Sequence, residues 1–391
     1  MRAPFTEDAR PGRMLSAGSV PRSDRPTAAL IDLDALSHNF REVVRRSGGR
    51  KVLAVVKAQA YGHGAIRVSQ HLLGLGADML GVALVEEGRE LRKAGIGAPV
   101  LVMGAVYPEQ AEAIVRWDLT PLVYSRAGAV ALADAAMKMG KDVTVHVKVD
   151  TGMGRIGLPP EDAGSFIEEI VKLEGLRLQG IMTHFADADL RDKQFAERQM
   201  QRFEGLMHVL DEKGIPLPVR HAANSAAVLD YERALFTIVR PGLMLYGYSP
   251  LEGERQDVDL RPVLSLVTRI AFLKRTPAGI PISYGRTFVT KRESLIATIP
   301  VGYADGYRRG LSNCGEAIVR GLRVPVAGRV CMDMTMLDVT DVPGVCEGDE
   351  VALIGAQGSE RITADDIAAK TGTISYEVLC GISSRVLRVY I

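Results

Sequence analysis

From residue 28 onward, short runs rich in Val, Ile and Leu alternate with longer segments whose apolar positions recur at the helical period. The apolar runs fall at 28–34, 51–58, 79–84, 99–104, 119–125, 142–150, 176–185, 219–225 and 236–247, and helical patterns fill 86–94, 108–117, 126–139, 161–173 and 192–213. Strands that alternate with helices predict a parallel sheet, because a parallel neighbour can be reached only by a long crossover. Nine strands are one more than an eight-stranded (β/α)8 barrel needs. The run at 28–34 precedes the regular alternation and is the expected extra. Beyond about Arg261 the texture changes. Strand-like runs at 263–273, 294–300, 324–330, 334–339 and 350–354 follow one another across Gly and Pro turns, with a single clear helix at 364–370. The pattern predicts an α/β chain: a TIM-type (β/α)8 barrel over 27–261, then a mainly β C-terminal domain over 262–391. Residues 1–26 hold Pro4, Pro11, Pro21 and Pro26 among several Arg and no apolar run of the kind a secretion signal requires, so they read as a disordered tail.

Charge narrows the functional classes. Lys and Arg number 48 against 47 Asp and Glu, a net charge of +1, which gives no electrostatic case for nucleic acid or an anionic membrane face. No apolar run approaches the roughly 18 residues of a spanning helix. The four cysteines, Cys314, Cys331, Cys346 and Cys380, form no C-x-x-C pair, so neither a zinc site nor a disulfide framework is indicated. Reduced thiols and a cytoplasmic location are the expectation.

In a barrel, polar side chains at the C-terminal ends of strands face one mouth, where active sites form. Lys57 ends the second run and opens K-A-Q-A-Y-G-H-G. Lys148 and Asp150 end the run at 142–150, ahead of T-G-M-G-R155-I-G. Thr183 and His184 end the run at 176–185, Asn224 and Ser225 end that at 219–225, and Arg240-Pro241-Gly242 interrupts that at 236–247. Cations, hydroxyls and an amide converging on one mouth favour a small anionic ligand. Residues 152–157 also match G-x-G-x-x-G, but Pro159 and Pro160 intervene before the next helix, whereas a dinucleotide loop opens directly into one. No P-loop, H-E-x-x-H, G-x-S-x-G or EF-hand pattern is present.

The stretch A-V-V-K-A-Q-A-Y-G-H-G at 54–64 resembles the pyridoxal-phosphate signature of the bacterial alanine racemases. The resemblance runs on through D-T-G-M-G-R-I-G from 150, T-H-F-A from 183, H-A-A-N-S-A from 221, R-P-G from 240, S-Y-G-R-T-F from 283, G-Y-A-D-G-Y from 302 and G-R-V-C-M-D from 328. It covers roughly 27–391 in the family's order. One departure is Gln59, where the family usually has Asn.

The resemblance implies an alanine racemase with pyridoxal 5'-phosphate as cofactor, built as a head-to-tail homodimer and supplying D-alanine for peptidoglycan. It implies Lys57 as the cofactor lysine and the base on one face of the substrate, and Tyr284, from the partner subunit, as the base on the other. An ordinary lysine pKa of ~10.4 is too high for a base at neutral pH, so cationic or desolvated surroundings must lower it. Arg240 would face the pyridine nitrogen, where a fixed cation discourages protonation and favours racemisation over transamination. His184 with Arg240 would supply the positive surroundings that Tyr284 needs. Tyr61, Ser225, Gly242, Leu243 and Tyr376 would bind the phosphate, Arg155 and the Met332 backbone the substrate carboxylate, and Tyr303 would limit substrate size at the mouth. The lysine matching Lys148 is carbamylated in many relatives. A broad-specificity or serine racemase of the same family would share these residues and differ in pocket width. A pyridoxal-phosphate-binding homeostasis protein would use a similar lysine on a lone barrel, against which the second domain argues.

Overall fold

The computed structural model describes residues 25–252 and 257–391. Of the tail expected at 1–26, all but Arg25 and Pro26 therefore lie outside the described residues. Backbone proximity divides the chain into two compact units, one of residues 32–263 and one in which the N-terminal segment through Ile31 joins 264–391.

The first unit is the eight-stranded parallel barrel. Its strands are Lys51–Val55, Met79–Val82, Val100–Val102, Thr120–Val123, Val143–Lys148, Leu176–Met182, Val219–His221 and Ile238–Val239. The first seven pair in parallel, each with the next, and the eighth pairs with the first, Lys51 lying opposite Ile238. Backbone bonds from Thr237 to Arg220 and from Arg240 to Ala223 join the seventh strand to the eighth. Both faces of such a sheet are covered, which is why its strands read as unbroken Val, Ile and Leu runs. The eighth run, expected to extend to 247, is a strand for two residues only. It gives way after Arg240 to a 3-10 turn, Leu243–Tyr246, entered through Gly242.

The first apolar run does not belong to this unit. Its strand ends at Ile31, where Asp32 caps the helix Leu33–Ser47 by accepting the Ala35 N–H at 2.8 Å. That helix is stitched to the barrel by Asn39, which is fully buried. Its amide donates to the Leu245 and Arg261 carbonyls at 3.0 and 2.8 Å and accepts the Arg261 N–H at 2.8 Å.

In the second unit, Ala28–Ile31 lies between Leu264–Arg269, antiparallel, and Leu387–Tyr390, parallel. The sequence placed residues 27–31 with the barrel; their backbone partners come instead from the start and end of the β-rich part of the chain. The same sheet continues through Glu350–Gln357 and Glu316–Val319 to Leu322–Pro325. Phe272–Thr276, Ser294–Ile299 and Thr335–Asp338 form a separate three-stranded sheet. Beside the expected helix, here Ala364–Thr371, there is a second, Ser375–Cys380, which the sequence reading missed. Among the described residues, no helix is long and apolar enough to cross a membrane.

Replacing Asn39 by Ala removes all three of its bonds while leaving the backbone groups buried. Stability measured by urea unfolding should drop by about 3 kcal/mol, the cost of stranding buried polar groups. A loss below about 1 kcal/mol would mean that the helix is held by packing alone.

Candidate functional site

The expected barrel residues all emerge at the C-terminal ends of strands. Lys57 follows Lys51–Val55, Lys148 closes Val143–Lys148, Thr183 and His184 follow Leu176–Met182, Ser225 follows Val219–His221, and Arg240 follows Ile238–Val239. The fields of Arg240, Arg155, Lys148 and Lys57 all bear on His184, so the cations predicted to converge do so around one imidazole.

Lys57 opens an unusual turn. Ala58, Gln59, Ala60 and Tyr61 all have φ between 52° and 55°, a left-handed helical turn made entirely of non-glycine residues. L-residues pay roughly 1–2 kcal/mol each in this conformation. Local bonds hold it. The Ala60 and Gly62 N–H groups donate to Val56 and Ala58, and that of Gly64 to Gln59 at 2.7 Å. Glu87 accepts the Ala58 N–H at 2.6 Å and that of Ala83 at 2.7 Å, tying the turn to the end of the neighbouring strand. The Tyr61 and His63 rings pack on Tyr246 at 4.8 and 4.6 Å between centroids. Gln59, the departure from the family's Asn, uses its extra length to reach Glu90 at 3.3 Å while accepting the Ala65 N–H at 3.4 Å.

The turn delivers the Tyr61 hydroxyl to Gly242. A Cβ at that glycine would sit 2.5 Å from the hydroxyl, a contact no side chain tolerates. The Ser225 hydroxyl lies against the same backbone, accepting the Gly242 N–H at 2.9 Å and the Met244 N–H at 3.4 Å. Two hydroxyls beside the backbone that enters the 3-10 turn, one of them Ser225, whose own hydrogen remains to donate, with a glycine where a Cβ would intrude, form a cradle with the chemistry a phosphate requires. Leu243, expected beside Gly242, begins the 3-10 turn with its side chain buried.

Arg240 is buried, and each of its four acceptors is uncharged. One guanidinium nitrogen donates to the Thr183 and Ala222 carbonyls, both at 2.9 Å, and to His184 Nδ1 at 3.3 Å; the other reaches His221 Nδ1 at 3.2 Å. Burial pulls its pKa down to about 9, still cationic at neutral pH. Because a guanidinium only donates, it assigns the protons beyond it. His221 accepts at Nδ1, so Nε2 carries its hydrogen and donates to His146 Nδ1 at 2.9 Å, and His146 Nε2 donates to the Gln179 side-chain oxygen at 3.2 Å. Burial first, then Arg240, holds His184 and His221 well below the ordinary imidazole range, so His184, expected to share with Arg240 in giving Tyr284 positive surroundings, is neutral near pH 7 and adds no charge. Neither His146 nor Gln179 figures in the sequence reading. The available signal was that His146 shares a strand face with Lys148, two positions on.

Lys148 is buried, donating to the Val149 carbonyl at 2.7 Å. Desolvation first, then the Arg240 cation, brings its pKa down to about 7. Asp150, beyond the strand end, turns its carboxylate onto the loop and accepts the N–H groups of Gly152, Gly154 and Arg155 at 2.9, 3.2 and 3.2 Å. These bonds shape the glycine loop from within, and the following helix begins only at Pro160.

The remaining residues lie in the second unit. Tyr284 is 71% exposed on a strained turn in which Ser283 and Arg286 have φ of 66° and 51°, and the Ser283 hydroxyl donates to the Arg329 carbonyl at 2.6 Å. Tyr303 and Met332 are exposed on two turns bonded to each other, the Tyr303 and Ala304 N–H groups donating to the Cys331 and Met332 carbonyls at 3.0 Å. Tyr376 is half-buried on the second helix.

Residues 31–250 match the family model "Alanine racemase, N-terminal domain" and residues 263–390 match "Alanine racemase, C-terminal domain". The chain belongs to the alanine racemase family. It is 49% identical over 370 residues to an alanine racemase of Halothermothrix orenii, covering 94% of this chain and 98% of the relative. It is 50% identical over 369 residues to alanine racemase 2 of Caldanaerobacter subterraneus subsp. tengcongensis, covering 94% and 95%. Among solved structures, the alanine racemase of Clostridium difficile 630 superposes with a TM-score of 0.90 at 39% identity, covering 94% of this chain and 96% of the other. Members of the family depend on pyridoxal phosphate, and the cradle at Tyr61, Ser225 and Gly242 fits its phosphate.

The neutral histidines give the barrel an acid limit. His146 is lowered to about 4, burial being the first cause, the Gln179 bond opposing it and Arg240 adding to it. The unfolded chain takes up this proton near pH 6.5 and the folded chain only near 4, so between them the unfolded state binds more protons and stability is lost as pH falls. The loss from His146 alone should approach about 3 kcal/mol by pH 4. Urea unfolding of the parent and of His146→Asn between pH 7 and 4.5 checks this. The variant, which has no proton to take up, should show the shallower decline, and parallel curves would mean that His146 is not the group responsible.

Proposed function

We propose that this chain interconverts L-alanine and D-alanine by a two-base mechanism, as a cytoplasmic homodimer with shared active sites that supplies D-alanine for peptidoglycan. The observation that carries the reading is the occurrence, in one chain and matched along nearly its whole length, of a lysine at the mouth of a phosphate-ready barrel and an exposed tyrosine on a built turn of the β-rich unit.

Bound pyridoxal phosphate supplies an electron sink for the pair left behind when the alanine Cα proton is removed. Lys57 is the residue to hold it covalently, with Tyr61, Ser225, the Gly242 and Leu243 backbone and Tyr376 on its phosphate. The Lys57 amine takes or returns the proton on one face of Cα. The phenol of the partner subunit's Tyr284 serves the other face, and its exposure on a strained turn suits a residue that works outside its own subunit. Arg240 would present a cation to the ring nitrogen of the bound cofactor and, with His184 and His221 neutral, has no proton to gain or lose near pH 7. Such a cation would discourage protonation of the ring and so favour return of the proton to Cα. Arg155 and the Met332 N–H hold the alanine carboxylate, and Tyr303 narrows the mouth.

Lys148 is the carbamylation candidate, and its lowered pKa supports this, since only a neutral amine attacks carbon dioxide. The amine lone pair forms the N–C bond, a C=O pair moves onto oxygen, and one amine proton leaves to solvent. The resulting carboxylate would orient Arg155. Enzyme equilibrated with 13C-labelled bicarbonate should show a carbamate carbon resonance that is missing in Lys148→Arg; identical spectra would refute the modification.

The two-base assignment has its own test. Lys57→Ala should abolish racemisation and also the covalent retention of cofactor after borohydride reduction, whereas Tyr284→Phe should lose activity by at least about 100-fold yet retain cofactor. Mixed under conditions that exchange subunits, the two inactive chains should recover activity, because one interface of the heterodimer then has both bases. Absence of recovery after exchange has been demonstrated would place both bases in one chain.

A further inference from the structure

Arg25 falls within the segment that the sequence assigns to the tail, yet among the described residues it is the most heavily engaged ahead of the first strand. Its two terminal nitrogens grip the Asp305 carboxylate as a fork, 2.7 Å to each oxygen, and one also donates to the Pro300 carbonyl at 2.7 Å. Thr27 adds a bond from its hydroxyl to the same carbonyl at 3.1 Å. Asp305 is fully buried. Burial alone would raise its pKa, but the Arg25 fork and the Gly302 N–H outweigh it and hold the carboxyl below its ordinary value. The second cation near it, Arg385, stands 3.7 Å away and is engaged with Asp333 at 2.8 Å.

Asp305 closes the turn that carries Tyr303. Its carboxylate accepts the Gly302 N–H at 3.0 Å, and its own N–H returns to the Gly302 carbonyl at 3.0 Å. Gly302 lies so tightly on the neighbouring turn that a Cβ there would come within 2.3 Å of the Met332 carbonyl oxygen. The Tyr303 and Ala304 N–H groups complete the junction by donating to Cys331 and Met332. A buried carboxylate deprived of its forked partner draws in water or shifts toward another cation. Either movement displaces the Gly302 turn and, through two backbone bonds, the Met332 peptide.

We infer that Arg25 is a positioning residue for substrate binding: by clamping Asp305 it fixes the turn bearing Tyr303 and the Met332 backbone in one register. The substrate part of this inference rests on the roles proposed above for Tyr303 and Met332.

The experiment uses full-length holoenzyme, Arg25→Ala and Arg25→Lys, with alanine kinetics in both directions and amide hydrogen exchange as independent readouts. Arg25→Ala should raise KM for alanine about tenfold, the scale of one weakened polar contact, with kcat within about twofold. Exchange should accelerate in peptides spanning 300–307 and 329–336, while barrel peptides and cofactor retention stay as in the parent. Arg25→Lys keeps the charge but loses the fork, and should fall between; it serves the same comparison if the alanine variant does not fold. A chain beginning at Arg25 should behave as the parent and one beginning at Thr27 as Arg25→Ala. Unchanged exchange in those peptides overturns the clamp. Accelerated exchange with unchanged KM overturns its role in substrate binding. A parent that does not racemise alanine sinks the proposed function, and exchange still decides the clamp.

Discussion

A buried cation without a counter-ion is the constraint around which the barrel mouth is organised. Removing a guanidinium from water costs several kcal/mol unless its donors are met. Here they are met by two carbonyls and two imidazole nitrogens and, among the described residues, by no carboxylate. The arrangement keeps the full positive charge available to whatever lies beyond Arg240. It also propagates, since a group that can only donate dictates which nitrogen of His221 is bare, and His221 in turn dictates the state of His146. The barrel thus contains a directional line of hydrogen bonds ending at Gln179, whose oxygen can accept but whose amide cannot ionise. A glutamate at that end would invite a proton into the line and weaken the cation at its head.

The phosphate cradle obeys a different rule, that of space. Tyr61 reaches Gly242 only because a left-handed turn advances the chain in the unusual sense and because the facing residue has no Cβ. Strain in one segment and emptiness in another are complementary parts of one contact. The turn is therefore braced from several directions at once, by Glu87, by the Tyr246 ring and by the close return of Gly64 to Gln59.

The chemistry was legible in the sequence because strand ends in a parallel barrel project to one face, so Lys57, Lys148, His184, Ser225 and Arg240 could be gathered from their positions alone. The family resemblance then gave the exposed Tyr284 a role that residue type by itself does not suggest. Pairing across long sequence distances was harder to see. Nothing in the composition of 28–31 indicates that its parallel partner is 387–390, because a buried strand reads the same in a barrel or in a mixed sheet. Asp32, a helix-capping residue inside the run read as 28–34, ends that strand at Ile31, a signal the sequence reading passed over. The Ser375–Cys380 helix is too short for its period to register. Arg25 was lost for a related reason: proline and arginine density signals disorder on average, while one forked ion pair is a property of geometry that density does not report.

The left-handed turn has a consequence for the stereochemistry of the chain itself. At Ala58 and Ala60 an L-residue places its Cβ against the following carbonyl, whereas for the mirror-image residue the same dihedral angles are the ordinary, left-handed helical minimum. Of the two enantiomers of alanine, the D form is the one suited to those two positions. Ribosomal synthesis cannot install it, so a fold that delivers one enantiomer's product from the mouth of its barrel has to build that mouth from the other, with neighbouring side chains supplying what chirality withholds.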